Sequence, residues 1–214
     1  MIRMTNYVML YAPIGVFGLI AYTVTRHGLS VLLPLGKLIL TAFIATVIFV
    51  VVTYLPIIKL IGMKISDYLK GAFEPWLIAF TTCSSAAALA VNLEASRKMG
   101  ASKAIASFAI PLGNTINMNG TSIYMGVTAV FAAEVFGIDL TLTQQFQIVL
   151  MGVLAAVGTA GVPGAGLIMT TLVFTEVGIP LEAVALIAGI DRILDMIRTS
   201  VNVLGDSLTA LVVS

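Results

Sequence analysis

The chain has 214 residues, 59% of them hydrophobic and 10% charged, with a mean hydropathy of +1.09; soluble domains carry about 25% charged residues, so this is a membrane protein whose first partner is the lipid bilayer. Eleven Lys and Arg against ten Asp and Glu give a net charge of +1, which leaves no electrostatic footprint for nucleic acid. A single cysteine, Cys83, and a single histidine, His27, exclude an internal disulfide and a Cys-based metal cluster, and argue against a His-based catalytic triad.

The first apolar run, residues 7–25, follows Arg3 and lacks a small-residue cleavage site, so it reads as a membrane helix and not a signal peptide. A short loop at 26–37 holds Arg26, a solvated His27 and Lys37. Residues 38–58 are uncharged and form a second span of the about 20 residues a bilayer needs; Lys37 and Lys59 at its ends can snorkel to the interface. After a polar stretch at 63–75 the pattern changes. Residues 76–93 are apolar but hold a small polar cluster, Thr81 to Ser85. Residues 104–133 are apolar but interrupted by "GNTINMNGTS" at 113–122. Residues 148–160 and 167–180 are each too short to span, and between them lies "GVPGAG", which no helix tolerates intact. Two short helices meeting at a Gly/Pro tip make a re-entrant hairpin. Irregular backbone at membrane depth survives only where protein or a watery cavity covers it. The last apolar stretch, 181–204, runs into "DRILDMIRTSVNVLGD", residues 191–206.

Basic residues in 63–103 (Lys64, Lys70, Arg97, Lys98, Lys103) place that side in the cytoplasm; the loop at 134–147, with Glu134 and Asp139 and no base, faces out. The order is then hairpin (70–102), broken helix (104–133), hairpin (148–180) and polar helix (181–206). This predicts an all-α membrane protein: transmembrane helices plus two re-entrant helical hairpins arranged as inverted repeats. Short, Gly/Pro-interrupted segments in corresponding halves point to a transporter site near the membrane midplane.

The polar helix carries the chemistry. At about 100° per residue, Asp191, Asp195, Arg198, Thr199, Asn202 and Asp206 fall within one face about 100° wide. Ile193, Leu194, Ile197, Val201 and Leu204 form the other face. Each charge at the membrane centre costs roughly 2.5–3.5 kcal/mol, so the charges must pair or meet water. Asp–Arg spacings of three and seven allow pairing, and the face keeps a net negative charge that attracts cations. The bland alternative is a surface amphipathic helix or a salt-bridged seam. A surface helix is Lys-rich on its polar face, whereas this face is rich in Asp, Asn and Thr. "TTCSS" alone reads equally well as a small-residue helix contact, "NTINMNGT" as a polar kink, and "GVPGAG" as an ordinary loop. Four such interruptions in adjacent elements favour a shared cavity.

"NMNGT", "GTAGVPGAG" and "DRILDMIRTSVNVLGD", in that order and behind a serine-containing hairpin, resemble the glutamate transporter family, the dicarboxylate/amino acid:cation symporters. The resemblance covers essentially the whole chain. Family members are longer, with further N-terminal helices that build a trimerising scaffold and part of a moving transport domain. The resemblance therefore implies residues 1–35 as a scaffold-type helix and loop, 36–214 as transport domain, and a homotrimer if the chain is complete. It implies that Asp195 holds the substrate's α-amino group, that Arg198 binds its side-chain carboxylate with a planar fork, and that Asp191 orients Arg198. Thr199 and Asn202 would hold the main-chain carboxylate, and Ser84, Ser85, Thr121, Val162 and Gly166 would close around the ligand. It implies two Na+ sites of hard oxygen ligands: Gly113, Asn117, Asn202 and Asp206 in one, and Thr115, Ala156, Val157 and Thr159 in the other.

There are departures. Asn119 stands where the family motif "NMDGT" has a carboxylate that helps hold a third Na+, so that site is weakened. The tip is reduced to Cys83-Ser84-Ser85-Ala86. Members often carry an arginine at the Cys83 or the Met196 position; here neither is basic, and Arg192, at the edge of the polar face, is the basic residue nearest to taking its place. The function implied is Na+-coupled symport, with H+ as a further co-ion, of glutamate or aspartate across the cell membrane by a multi-pass protein. The alternatives are a dicarboxylate symporter, against which Asp195 argues, and a truncated fragment that does not transport. An intramembrane hydrolase using Ser84 or Ser85 lacks a G-x-S-x-G elbow and a nearby histidine, so no enzyme is expected.

Overall fold

The computed structural model describes residues 28–214 and, ahead of these, residues 11, 14, 15, 17–22, 24 and 25. The expected span at 7–25, with Arg3, Arg26 and His27, lies largely outside the described residues; those described between 11 and 25 are helical. After a short turn at Leu29–Val31 comes α1, Leu32–Leu60, with 29 residues and an 18-residue stretch of mean hydropathy 2.6. Among the described residues it is the one helix long and apolar enough to cross a membrane alone. It outruns the expected span at both ends. Its turns widen to π spacing over Val50–Tyr54, just ahead of Pro56. A proline has no N–H and crowds the carbonyl four residues back, so the ladder yields there. The widened turn leaves Tyr54 facing inward.

The expected first hairpin is built of α2, Ile65–Thr82, and α3, Ser85–Lys98. α2 starts earlier than its apolar run because Tyr68, Ala72, Pro75 and Ala79 make a helical stripe that is buried, while Asp67, Lys70 and Glu74 lie on the exposed side. It stops where Cys83 takes a left-handed conformation, φ 54. Ser84 then caps α3, its Oγ accepting the Ala87 N–H at 3.2 Å.

The expected broken helix is α4, Lys103–Ile116, and α5, Asn119–Val135, so its interruption narrows to Asn117 and Met118. The second hairpin is α6, Leu142–Val157, opened by a Thr141/Gln144 capping box, and α7, Ala165–Val177. The polar helix departs from expectation. It breaks at Gly189–Ile190 into α8, Glu182–Ala188, and α9, Asp191–Val213.

α9 is the axis of the molecule, packed against α1 to α5. One apolar core joins α1 and α5 to α6, α7 and α8; Ala129, Ala132 and Ala133 let these helices approach closely. A second core joins the end of α1 to α2 and α9, around Tyr54, Ile58 and Tyr68. Val201 and Leu194, placed on the apolar face of the polar helix, are buried in these cores, and Ile193 is exposed.

Candidate functional site

All six polar residues of the α9 face are buried. Arg198, 3% exposed, sits at the centre. Its Nε donates to Asp195 Oδ1 at 3.0 Å and its Nη1 to Asp191 Oδ1 at 3.2 Å. The Tyr124 ring lies beneath it, 4.3 Å from Cζ to the centroid, and the Tyr124 hydroxyl donates to Asp191 Oδ1 at 2.9 Å. Asp195 Oδ1 also accepts from Thr199 Oγ1 at 2.8 Å, and Oδ2 accepts from the Gly164 N–H at 2.8 Å. Buried charges persist only when paired and hydrogen-bonded, and these are, with one exception: Arg198 Nη2 has no partner. The pairing at spacings of three and seven is thus realised. Asp195 and Arg198 are thereby bonded to each other as well as facing the cleft.

The hairpin tips meet in front of this cluster. The Gly161 carbonyl, in the Gly158–Gly164 turn, accepts from Ser84 Oγ at 2.9 Å and from the Ala86 N–H at 3.2 Å. Between tips and α9 lies a cleft of about 10 Å³, room for about one water. Of the expected substrate residues, Ser85, Thr121, Val162, Gly166, Asp195, Arg198, Thr199 and Asn202 line it. Ser84 and Asp191 stand behind it, the first joining the tips and the second bracing Arg198. Gly166 is where backbone must touch guanidinium: a Cβ there would stand 2.6 Å from Arg198 Cζ.

One turn further along α9, the expected first cation ligands form a second cluster. Asn117 Nδ2 donates to Asp206 Oδ1 at 2.9 Å and to the Asn202 carbonyl at 3.2 Å. The Gly113 carbonyl accepts the Asn117 N–H at 2.8 Å, and Asp206 Oδ1 lies 2.5 Å from where a Cβ on Gly113 would be. Asn202 Oδ1 accepts the Gly120 N–H at 2.8 Å, and its Nδ2 reaches Thr121 Oγ1 at 3.1 Å. Asn119 Nδ2 donates to Asn117 Oδ1 at 2.7 Å and to Tyr54 Oη at 3.1 Å. Asp206 is 2% exposed and makes no ion pair among the described residues.

The other expected set is less concentrated. Ala156, in the last turn of α6, and Thr159, just after it, are buried, Val157 is 45% exposed, and Thr115 Oγ1 folds back onto the Leu112 carbonyl at 3.0 Å. Asn114 brings the end of α4 to this turn, its carbonyl and amide 3.2 Å from where a Cβ on Gly161 would be. Among the described residues no three His, Cys, Asp or Glu side chains cluster. A cation here would therefore meet neutral oxygens and few carboxylates, the chemistry of a hard ion.

Sequence reasoning missed several participants. Tyr124 under Arg198, Met118 and Cys83 in the cleft wall, Gly161 and Gly164 at the tip and Tyr54 beside Asn119 all belong to the site. Cys83, Met118, Gly161 and Gly164 lie inside quoted motifs, whereas Tyr54 and Tyr124 carried no signal. Arg192 does not stand in the cleft; its Nη2 donates to the Thr81 carbonyl at 2.8 Å, at the end of α2. A roomier cleft of about 610 Å³ lies between α1 and α5. Its lining is apolar apart from Thr41, Lys37 and Glu134, and none of the buried ionic cluster reaches it.

The arrangement is a buried guanidinium with an unused donor and, about two turns further along the same helix, a buried carboxylate with no ion-pair partner among the described residues. Compared with known proteins, residues 1–214 match the sodium:dicarboxylate symporter family throughout. The chain belongs to this family. It is 40% identical over all 214 of its residues to the proton/sodium-glutamate symport protein of Geobacillus stearothermophilus, covering 51% of that protein. It is 39% identical to the proton/glutamate-aspartate symporter of Escherichia coli, covering 49% of it. It is also 38% identical over 214 residues to the C4-dicarboxylate transport protein of Bacillus subtilis, covering 51% of it. The chain thus spans about half the length of the curated relatives it matches. The family and these relatives are transporters, and the chain is a membrane protein.

Proposed function

We propose that this chain forms the substrate- and cation-binding part of a secondary transporter that moves glutamate or aspartate together with Na+ by alternating access. The observation that carries the proposal is Arg198, buried, fixed by two carboxylates and an aromatic ring, with Nη2 unbonded at a cleft lined by hydroxyls and an amide. A substrate carboxylate completes that guanidinium, and Thr199, Asn202, Thr121 and Ser85 supply the remaining polar partners. Charge explains the coupling. Among the described residues the buried charged side chains are Asp191, Asp195, Asp206 and Arg198, three carboxylates against one guanidinium when all are ionised. An acidic amino acid adds a further negative charge, so its entry requires cations. Gly113, Asn117, Asn202 and Asp206 are proposed to hold one Na+, and carbonyls of Thr115, Ala156, Val157 and Thr159 a second. Each Na+ moving inward gains about 2.3 kcal/mol per 100 mV and about 1.4 kcal/mol per tenfold gradient. H+, which the relatives' names include, serves as a further co-ion.

In this reading the two helix pairs α2/α3 and α6/α7 are re-entrant hairpins entering from opposite sides of the cell membrane as inverted repeats, within a multi-pass protein. Residues 36–214 move as a transport domain, residues 1–35 belong to a scaffold, and the whole protein is a homotrimer that transports without catalysing a reaction. The cleft is smaller than any amino acid, so the tip contact through the Gly161 carbonyl opens for substrate to enter.

A second reading is uptake of a C4-dicarboxylate. It is favoured by the bonding of Asp195, whose two oxygens already take donors from Arg198, Thr199 and Gly164 and so do not require a substrate ammonium. Binding of aspartate, glutamate, serine and succinate to folded parent and Arg198→Cys protein separates the cases. The variant should lose the acidic amino acids by over a hundredfold, since their second carboxylate is left unpaired, while serine binding survives or appears. Unchanged aspartate affinity would remove Arg198 from the reading of the side chain. Succinate bound by the parent more tightly than aspartate would select the second reading.

A further inference from the structure

α3 carries polar residues that the site does not use. Its buried face is Ser85, Ala88, Asn92 and Ser96. Ser85 lines the cleft, whereas Asn92 and Ser96 lie further along at 1% and 0% exposure. Asn92 Nδ2 donates to the Val203 carbonyl at 3.2 Å. A carbonyl oxygen can only accept, so the amide nitrogen faces it and Oδ1 points elsewhere. Asn92 Oδ1 and Ser96 Oγ have no partner, although they are neighbours on one helix face at a spacing of four.

The third side of this space comes from α9. Asn92 contacts Val203 across a separation of 111 residues and Ser102 contacts Ser214 across 112. α3 and α9 therefore run side by side in the same direction, and Ser96 stands level with Ser207. Ser207 is 0% exposed. Its Oγ lies 2.9 Å from Tyr68 Oη and donates to the Leu204 carbonyl at 2.9 Å. Tyr68 Oη donates to the Leu204 carbonyl at 2.6 Å, so the Ser207 hydroxyl proton is shared between Tyr68 Oη and that carbonyl, and the lone pairs of Ser207 Oγ stay free to accept.

We propose that Asn92, Ser96 and Ser207 hold one buried water molecule that welds α3 to α9. The water accepts the Ser96 hydroxyl proton and donates to Asn92 Oδ1 and to Ser207 Oγ. These three bonds are the usual complement of an internal water, and they use every group left over. A metal cation does not suit the space. All three oxygens are neutral and too few for a hard ion, and Asp206 lies about 100° away around α9. Through Tyr68 the water also ties in α2, so both arms of the first hairpin and the polar helix form one block.

The sign of a stability change tests this on the purified full chain. With the water present, Ser96→Ala deletes a used donor and the melting temperature should fall by about 2–4 °C. In a dry space the same substitution deletes an unsatisfied hydroxyl, and the melting temperature would stay or rise, which would overturn the proposal. A density map at a resolution that shows ordered water, recorded in Na+ and in choline, is the second measurement and holds if the variant does not fold. One peak between the three side chains in both buffers supports the water. No peak, or a peak in Na+ alone, overturns it.

Discussion

Gly120→Ala sets two effects against each other at the crossing of α5 and α9. By helix propensity the change is favourable by about 1 kcal/mol, since Gly is the poorest ordinary helix former. By packing it is not. A Cβ on Gly120 collides with the Arg198 carbonyl oxygen and comes within 2.8 Å of Arg198 Cα and 2.9 Å of its carbonyl carbon. These are backbone atoms of a packed helix and cannot rotate aside, so α5 and α9 must separate. Overpacking of this kind costs about 1–3 kcal/mol. Separation also weakens the Gly120 N–H bond to Asn202 Oδ1 at 2.8 Å, worth about 1 kcal/mol. The net is a loss of about 1–3 kcal/mol, or a fall of roughly 2–12 °C in melting temperature at this chain length. Gly126→Ala in the same helix is the control: nothing lies within 4 Å of its would-be Cβ, so propensity acts alone and stability should stay or rise. Thermal unfolding of the purified protein and both variants measures this. If Gly120→Ala melts at or above the parent, the close approach of α5 to Arg198 is not what holds the site.

Other substitutions report on the site itself. Gly166→Ala should press the guanidinium away from its carboxylates; losing one charge-assisted hydrogen bond, about 1.5–3 kcal/mol, weakens aspartate binding roughly 10- to 150-fold by calorimetry, and an unchanged affinity would place the substrate elsewhere. Asp206→Asn removes the one carboxylate of the first cation cluster, so the slope of log Kd for aspartate against log Na+ concentration should drop by about one; a parental slope would show that Asp206 holds no coupled cation. If α6 and α7 form a re-entrant hairpin, cysteines placed singly at the exposed Asp139 and Glu182, in a background without Cys83, should react with impermeant reagents from the same side of the membrane; reaction from opposite sides would make the pair a crossing.

The polar face of α9 was legible in the sequence because helical periodicity is a local property, and Asp191 and Asp195, seven and three residues from Arg198, fall within its reach. The interruptions at 113–122 and 161–166 were legible for a similar reason, since Gly, Pro and Asn limit the local backbone. What the sequence concealed is long-range. Nothing local marks Tyr124 as the ring beneath Arg198, because an aromatic in an apolar helix reads as core. The contact of Ser84 with the Gly161 carbonyl joins residues 77 apart, and neither tip announces its partner. Asn92 and Ser96 look like ordinary polar residues of a weakly amphipathic helix until the register with α9 buries them. The break at Gly189–Ile190 was hidden because a lone glycine inside an apolar run is tolerated in many helices.

In the proposed function, buried cations make room for an acidic amino acid beside Arg198. Calorimetric titration of the folded chain with L-aspartate and L-glutamate, over a series of Na+ concentrations at constant ionic strength made up with choline, tests it most directly. Binding should tighten steeply with Na+, with log Kd falling by more than one unit per tenfold rise in Na+ because more than one ion is taken up. An affinity that is the same at every Na+ concentration would contradict it.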